Sequence, residues 1–391
     1  MKNLFVDEEA KAFDSDLKLR VYTSNLLGRS DELVLHGGGN TSVKTTVNGE
    51  EILYVKGSGW DLVSIKAEGF APVKLDVLLE MAKLKTLSDT DMVSSQKAAM
   101  IDKTAPNPSV EAILHALIPF KFVDHTHADA VVTISNSVSG EEHIQKLFPN
   151  FLIIPYVMPG FILAQSIYEK SKDLDWSKCE GIILHHHGIF TFDDDAKRSY
   201  TKMIDAISKA EAFLQKNAHI TLKNATPKNP VDLNKLQHII SEHKGHDVIL
   251  HVNTSDLAYT YAAHENLQDF AQRGVLTPEH IIRTKRVPLI LEDENIEDAI
   301  QKYEADYKNY FNAFAHDEIC LNPAPNYAII KDFGIVSFGK NEKEALIIND
   351  IVEHTMLAVL RADQLGGYKS ISLKDSFEME YWELEQAKLR K

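Results

Sequence analysis

The chain has 391 residues, more than one ordinary domain at roughly 150 residues each. Its 44% hydrophobic and 25% charged content can bury a core, which excludes wholesale disorder. A formal charge of −15 gives no basic footprint for nucleic acid, and two cysteines, Cys179 and Cys320, cannot make a disulfide framework or a cysteine-based zinc module.

That cysteine usage fits a reducing compartment. The first residues carry Asp7, Glu8 and Glu9 where a signal peptide needs an apolar run. The most apolar stretch, residues 151–164 (FLIIPYVMPGFILA), is too short to span a bilayer and is interrupted by Pro155 and Pro159. It reads as a buried strand pair. The expectation is a soluble, cytoplasmic chain with neither a membrane nor a nucleic-acid partner.

In chain order, residues 14–28 place Leu17, Val21 and Leu27 near helical spacing and end at Gly28, a natural C-cap. Two glycine-bearing loops follow, HGGGNTSVK at 36–44 and KGSGW at 56–60, with a short strand at 51–55 between them. Neither is a P-loop or a dinucleotide fingerprint. Glycine with Asn and Ser can cradle a phosphate through backbone N–H groups, and a tight turn with no ligand would look the same. Residues 73–85 read as an amphipathic helix.

Residues 107–117, NPSVEAILHAL, offer Ser109 as an N-cap and place Glu111 in the first helical turn. Glu111 is then either a carboxylate that complements the helix dipole or a general base. His115, four residues on, either orients Glu111 or simply packs, and packing is the expectation. In VDHTHADAVVT, residues 123–133, His125 and His127 are two apart, so on a strand both imidazoles face one side and suit a divalent metal. Residues 182–196, IILHHHGIFTFDDDA, put His185, His186 and His187 in an apolar strand, where each ring nitrogen needs a partner. A third ligand from this cluster would complete a three-histidine site with an open position. His185 and His187 share one face, His186 takes the other, and spacing does not choose among them.

A long helix over 196–218 closes the first domain. The stretch KNATPKNPVD, residues 223–232, reads as a linker, giving domains at 1–222 and 233–391. Beyond it, Thr277 and Pro278 mark a helix start, and Arg283, Lys285 and Arg286 either reach a phosphate or, as the favoured reading, form its solvated basic end. Residues 328–342, AIIKDFGIVSFGKNE, echo 182–196: Gly188 aligns with Gly334, Ile189 with Ile335 and Phe192 with Phe338. The echo is either a decayed repeat without the first copy's chemistry or a resemblance between any two strand–turn–strand units. A decayed repeat predicts a similar strand–turn at Phe333–Gly334 that binds no metal.

The blocks GGGNTSVK, KGSGW, PSVE, HTH and HHGIFTF, in that order over roughly residues 20–215, resemble the class II aldolase/adducin family. With RTKRVPLILE and DSFEMEYWELEQAKL, the chain is similar over nearly its whole length to the aldolase part of bifunctional rhamnulose-1-phosphate aldolase/dehydrogenases. The resemblance implies a three-layer α/β/α domain with a mostly antiparallel central sheet, followed by a smaller C-terminal α/β domain. It implies zinc or another divalent metal on His125, His127 and His187, with Glu111 as catalytic base. It assigns Gly39, Asn40, Ser58, Gly59 and Ser109 to the substrate phosphate, with Val110 standing where the family often has a second serine. Tyr156 falls where simpler members carry a proton-donating tyrosine, at a longer spacing from His127.

The implied reaction cleaves a phosphorylated ketose, L-rhamnulose 1-phosphate first among candidates, into dihydroxyacetone phosphate and an aldehyde. Related proteins on the same scaffold epimerise or decarboxylate phosphorylated substrates, and adducin is a non-enzymatic scaffold. The resemblance also implies a homo-oligomer, most often a tetramer. In the bifunctional proteins a dehydrogenase follows, and no dinucleotide fingerprint is present here. The expectation for a complete chain is the aldolase half alone, with a separate aldehyde-oxidising dehydrogenase as partner.

Overall fold

The computed structural model describes residues 1–228, 231–292 and 295–390. These form two compact units, residues 1–135 with 141–213 and residues 136–140 with 214–390. The division falls near the end of the long helix Ala196–Asn217. Positions 229 and 230 of the expected linker lie outside the described residues.

The first unit is built on seven strands: β1 (Asn40–Val47), β2 (Glu50–Lys56), β3 (Phe70–Lys74), β4 (Phe122–Thr126), β5 (Phe151–Ile154), β6 (Gly181–Leu184) and β7 (Gly188–Asp193). Their order is β3-β2-β1-β4-β7-β6-β5, antiparallel throughout except for the parallel β5–β6 pair. The fold is therefore α/β with a mostly antiparallel sheet, as the resemblance implies. Strand β4 sits in the middle with all five residues buried, and His125 pairs with Asn40 on one side and Phe190 on the other.

Alternation along β4 sends Asp124 and His125 to opposite faces. Asp124 is fully buried against Arg20 of helix Asp16–Leu27 and also accepts from Ser199 of the long helix. Satisfied on both oxygens, that carboxylate ties two helices to the sheet behind the histidine.

Three sequence expectations change. Residues 73–85 split into the end of β3 and a helix from Leu75 to Ala82, because Val73 pairs with Leu53 in the ladder. Residues 151–164 are strand β5, a loop through both prolines, and helix Phe161–Ser171, rather than a strand pair. Gly28 ends its helix at an ordinary φ of −68°, so no left-handed cap demands glycine; a Cβ there would lie 2.1 Å from the Val63 nitrogen.

The second unit holds β8 (Ile249–Asn253), β9 (Leu289–Leu291), β10 (Tyr327–Ile330) and β11 (Gly334–Gly339), in the order β8-β11-β10-β9. Its pairings run antiparallel, antiparallel, parallel, the pattern of β4-β7-β6-β5 in the first unit. The match extends to single residues. Thr126 faces Ile189, and Asn253 faces Ile335. The turns before Gly188 and Gly334 each contain a residue with positive φ, His186 at 61° and Asp332 at 55°. A Cβ on Gly188 would lie 2.4 Å from the Thr126 oxygen, and one on Gly334 would lie 2.3 Å from the Asn253 oxygen. Each final strand then leads to a 22-residue helix.

In this register Val252, Thr254 and Phe333 occupy the positions of His125, His127 and His187. Phe333 packs into a core with Ile330, Val336, Leu289 and Ile300. Lys285, expected at a solvated helix end, is instead buried with its Nζ 3.6 Å from the centre of the Tyr307 ring. Arg286 beside it is only partly exposed. Thr277 does precede a helical segment, a 3-10 turn Pro278–His280 and then Ile281–Thr284, but its hydroxyl bonds Glu279 rather than the backbone. No helix among the described residues is long and apolar enough to cross a membrane.

Candidate metal centre

Three histidines converge at the edge of β4 and at the β6–β7 turn. His125 lies near the end of β4, His127 two residues on, and His187 is the last turn residue before β7. Their nearest ligand nitrogens all lie within 4.8 Å of one another. The Nε2 atoms of His125 and His127 are 3.0 Å apart. Nitrogens held at 2.0–2.1 Å by one tetrahedral zinc would be about 3.4 Å apart, a spacing that lies between the 3.0 Å of this pair and the 4.8 Å that bounds the set.

The surroundings fix the rings. His125 Nδ1 lies 3.1 Å from the Ile189 carbonyl, to which it donates, leaving Nε2 as the lone pair turned to the shared point. The His125 ring also stacks on Phe190 with centroids 4.0 Å apart. Glycine is required at 188 because a Cβ would come within 3.0 Å of His125 and 3.2 Å of His127.

Of the three consecutive histidines only His187 joins the set. The sequence reading placed them in a strand, whereas they form a tight turn, so the alternation argument does not hold. His186 takes the left-handed position. His185 is buried, burial lowers its pKa, and neither ring nitrogen has a hydrogen-bond partner among the described residues.

Glu111 stands beside the triad. Its Oε2 is 3.5 Å from His125 Nε2, and its Oε1 is 3.8 Å from His187 Nε2. The helix runs from Ala112 to Leu117, which puts Glu111 at the N-cap position, yet its side chain makes no capping bond. Ser109 Oγ accepts from the Glu111 backbone nitrogen at 3.2 Å instead. Oε2 accepts from Asn40 Nδ2 at 2.6 Å, while Oε1 has no hydrogen-bond partner among the described residues. Glu111 is thus a carboxylate buried to 5% exposure, with one oxygen held, the other without such a partner, and no capping bond to the helix.

His115, for which the sequence favours packing over orienting Glu111, is hydrogen-bonded at both ring nitrogens: Nδ1 to Ser42 Oγ at 2.8 Å, and Nε2 to Asn40 Oδ1. Burial first, then the charges of His125, Lys44 and Arg20, hold its pKa well below the usual histidine range, so the ring is neutral. Ser42 carried no signal of its own; the i+4 spacing of Glu111 and His115 was the available clue.

The phosphate candidates sit on three loops laced around this carboxylate. Ser58 N donates to Asn107 O at 2.8 Å, Ser109 N to Lys56 O at 3.1 Å, and Lys56 Nζ to Gly37 O at 3.0 Å. Gly39, at φ 66°, would place a Cβ 2.7 Å from the His125 carbonyl, so glycine is forced where the loop meets β4. Gly59, at φ 92°, is exposed. Tyr156 lies on the loop after β5, and its ring neighbours His186 with centroids 6.4 Å apart.

Comparison with known proteins places the chain in a family. Residues 19–214 match the model of the class II aldolase and adducin N-terminal domain, and residues 228–389 match that of the class II aldolase second domain. The chain is 30% identical to the uncharacterized oxidoreductase YuxG of Bacillus subtilis, covering all of this chain and 60% of that protein. The chain thus spans less than two thirds of that relative's length. The N-terminal class II aldolase domain of a conserved protein from Thermoplasma acidophilum is 40% identical with a TM-score of 0.51, covering 55% of this chain and 99% of that one. L-fuculose-1-phosphate aldolase from Thermus thermophilus is more distant, at 16% identity and TM-score 0.34 over 51% of this chain and 95% of that one.

Proposed function

This chain belongs to the class II aldolase and adducin family, and from that premise we propose that it is a metal-dependent lyase. It cleaves a phosphorylated ketose, with L-rhamnulose 1-phosphate as leading substrate, into dihydroxyacetone phosphate and an aldehyde. The observation that carries this reading is three imidazoles within 4.8 Å of one another beside a buried carboxylate with one oxygen open. Neutral imidazole nitrogens suit zinc or another borderline divalent ion. Held by His125, His127 and His187, such an ion would supply Lewis-acid polarisation of the substrate's ketone.

The protein groups do the rest. Glu111 takes, at Oε1, the proton of the hydroxyl next to the bond that breaks, while Asn40 holds Oε2 in place. As that proton leaves, the C–O bond becomes the aldehyde carbonyl, and the electron pair of the broken C–C bond enters the former ketone. A proton returned to the carbon that lost the bond, next to that ketone, re-forms the carbonyl and completes dihydroxyacetone phosphate. Gly39, Asn40, Ser58, Gly59 and Ser109 anchor the phosphate, which fixes the reacting bond near Glu111. Tyr156 is the candidate proton donor in the reverse, bond-forming direction. The aldehyde product calls for an oxidising dehydrogenase, and a homo-oligomer completes the proposal.

The test is a panel of phosphorylated ketoses, each assayed for dihydroxyacetone phosphate release with and without chelator. Release from at least one member, abolished by chelator, supports the reading. Absence of release from all of them points to epimerase or decarboxylase chemistry or to a non-enzymatic scaffold.

A further inference from the structure

We infer that His115 is a positioning residue for this site: together with Ser42 it orients the Asn40 amide, and through that amide it sets the carboxylate of Glu111. The inference rests on Glu111 being the base, and it adds a residue that never touches the substrate.

The chemistry of the four groups allows one direction of hydrogen bonding. An ionised carboxylate only accepts, so the 2.6 Å contact between Asn40 and Glu111 Oε2 must be donated by Nδ2. Asn40 Oδ1 then faces His115 Nε2, which must carry its hydrogen. In the neutral ring Nδ1 is left as an acceptor, and the hydroxyl of Ser42, 2.8 Å away, supplies the proton. The order is Ser42 hydroxyl to His115, His115 to Asn40, Asn40 to Glu111. Turning the amide over would set Oδ1 against the carboxylate and Nδ2 against the imidazole N–H, two like-to-like contacts at once.

Water does not compete for these bonds. Ser42 and His115 are fully buried, Glu111 is 5% exposed and Asn40 7%. Each member also sits on a fixed support. Asn40 and Ser42 lie on β1, which pairs with β4, the strand of His125. His115 follows Glu111 by one helical turn, its backbone nitrogen donating to the Glu111 carbonyl at 3.0 Å. Any buried histidine needs its ring nitrogens matched, so matching alone assigns no role. Here the partners form one chain whose last bond ends on Glu111 Oε2, leaving Oε1 as the carboxylate oxygen without a hydrogen-bond partner among the described residues.

The test compares three substitutions in the zinc-loaded chain. The terminal amide of His115→Gln reaches roughly where Nε2 was and can still donate to Asn40. His115→Asn reaches only as far as Nδ1, and His115→Phe keeps the bulk beside Phe190 with no polar atom. With an active parent, His115→Phe and His115→Asn should lower kcat by roughly 10²-fold, the loss expected when a catalytic group is misplaced by about 1 Å. KM and zinc content should be nearly unchanged, and His115→Gln should recover most of kcat. A purely structural role would instead lower melting temperature alike in all three and leave kcat in place, which would overturn the inference. A crystal structure of zinc-loaded His115→Phe gives an answer that does not depend on turnover: the Asn40–Glu111 hydrogen bond should be broken with the three metal-facing histidines unmoved. If that bond persists, His115 does not set it. If the parent cleaves no ketose phosphate, the aldolase reading falls, and the crystal structure alone decides whether His115 positions Glu111.

Discussion

In the first unit the turn between β6 and β7 ends in His187, and in the second unit the turn between β10 and β11 ends in Phe333. The backbones agree closely: each residue donates its nitrogen at 3.1 Å to the carbonyl three positions back, from Leu184 or Ile330. The next residue is glycine in both, because the neighbouring strand's carbonyl leaves no room for a Cβ. Even the contact from the first strand to the long helix recurs, Thr126 to Met203 at 3.3 Å and Asn253 to Asn349 at 2.9 Å. What differs is the cargo. One turn delivers an imidazole to two others and a carboxylate; its counterpart delivers a phenyl ring to a core. The backbone is a generic bracket, and the side chains set on it differ: three imidazoles in one unit, Val252, Thr254 and Phe333 in the other.

Exchanging that cargo gives the largest effect. His187→Ala should abolish stoichiometric metal binding and cut turnover at least as far as loss of a general base, roughly 10²–10⁴-fold. Metal analysis and the cleavage assay read this directly. Glu111→Gln comes next. It should lower turnover by roughly 10²–10⁴-fold with metal content retained, whereas loss of a mere first-turn carboxylate would cost only about 0.3–1 kcal/mol of stability. Turnover within a few-fold of the parent would make Glu111 a cap after all.

The counterpart substitution, Phe333→Ala, should leave metal content untouched and destabilise the chain by about 3 kcal/mol, the usual cost of emptying a buried phenyl site. Chemical denaturation separates the two variants, and metal loss from Phe333→Ala would contradict the comparison. The smallest pair is Gly188→Ala and Gly334→Ala. Both should cost about 1–3 kcal/mol from overpacking. Only the first should also weaken metal affinity, because its added methyl presses on His125 and His127.

The sequence revealed the donors better than their setting. The alternation of H-x-H holds within β4, with His125 and Asp124 on opposite faces and Asp124 against Arg20, but the strand ends at Thr126 and His127 converges from just beyond it. The triple histidine was legible as chemistry but not as geometry, since a tight turn replaces alternation with a left-handed residue at His186. Strand β5 and the helix after it merged into one apolar run, because two prolines between them look the same in a loop as in a broken strand. Ser42 was invisible: a serine in a strand acquires meaning only when the helix of residues 112–117 folds over it. Lys285 was misjudged for a related reason, since a basic triplet looks solvated until the ring of Tyr307 is seen against its ammonium.

The central claim is one metal seat per chain, made by the first unit and lost from the second, on which cleavage depends. Its most direct test is to strip the protein with chelator and return zinc in steps while following both bound metal and dihydroxyacetone phosphate release from L-rhamnulose 1-phosphate. Bound zinc and rate should rise together and level off at one ion per chain. A rate indifferent to zinc, or a plateau at two ions per chain, would contradict the account.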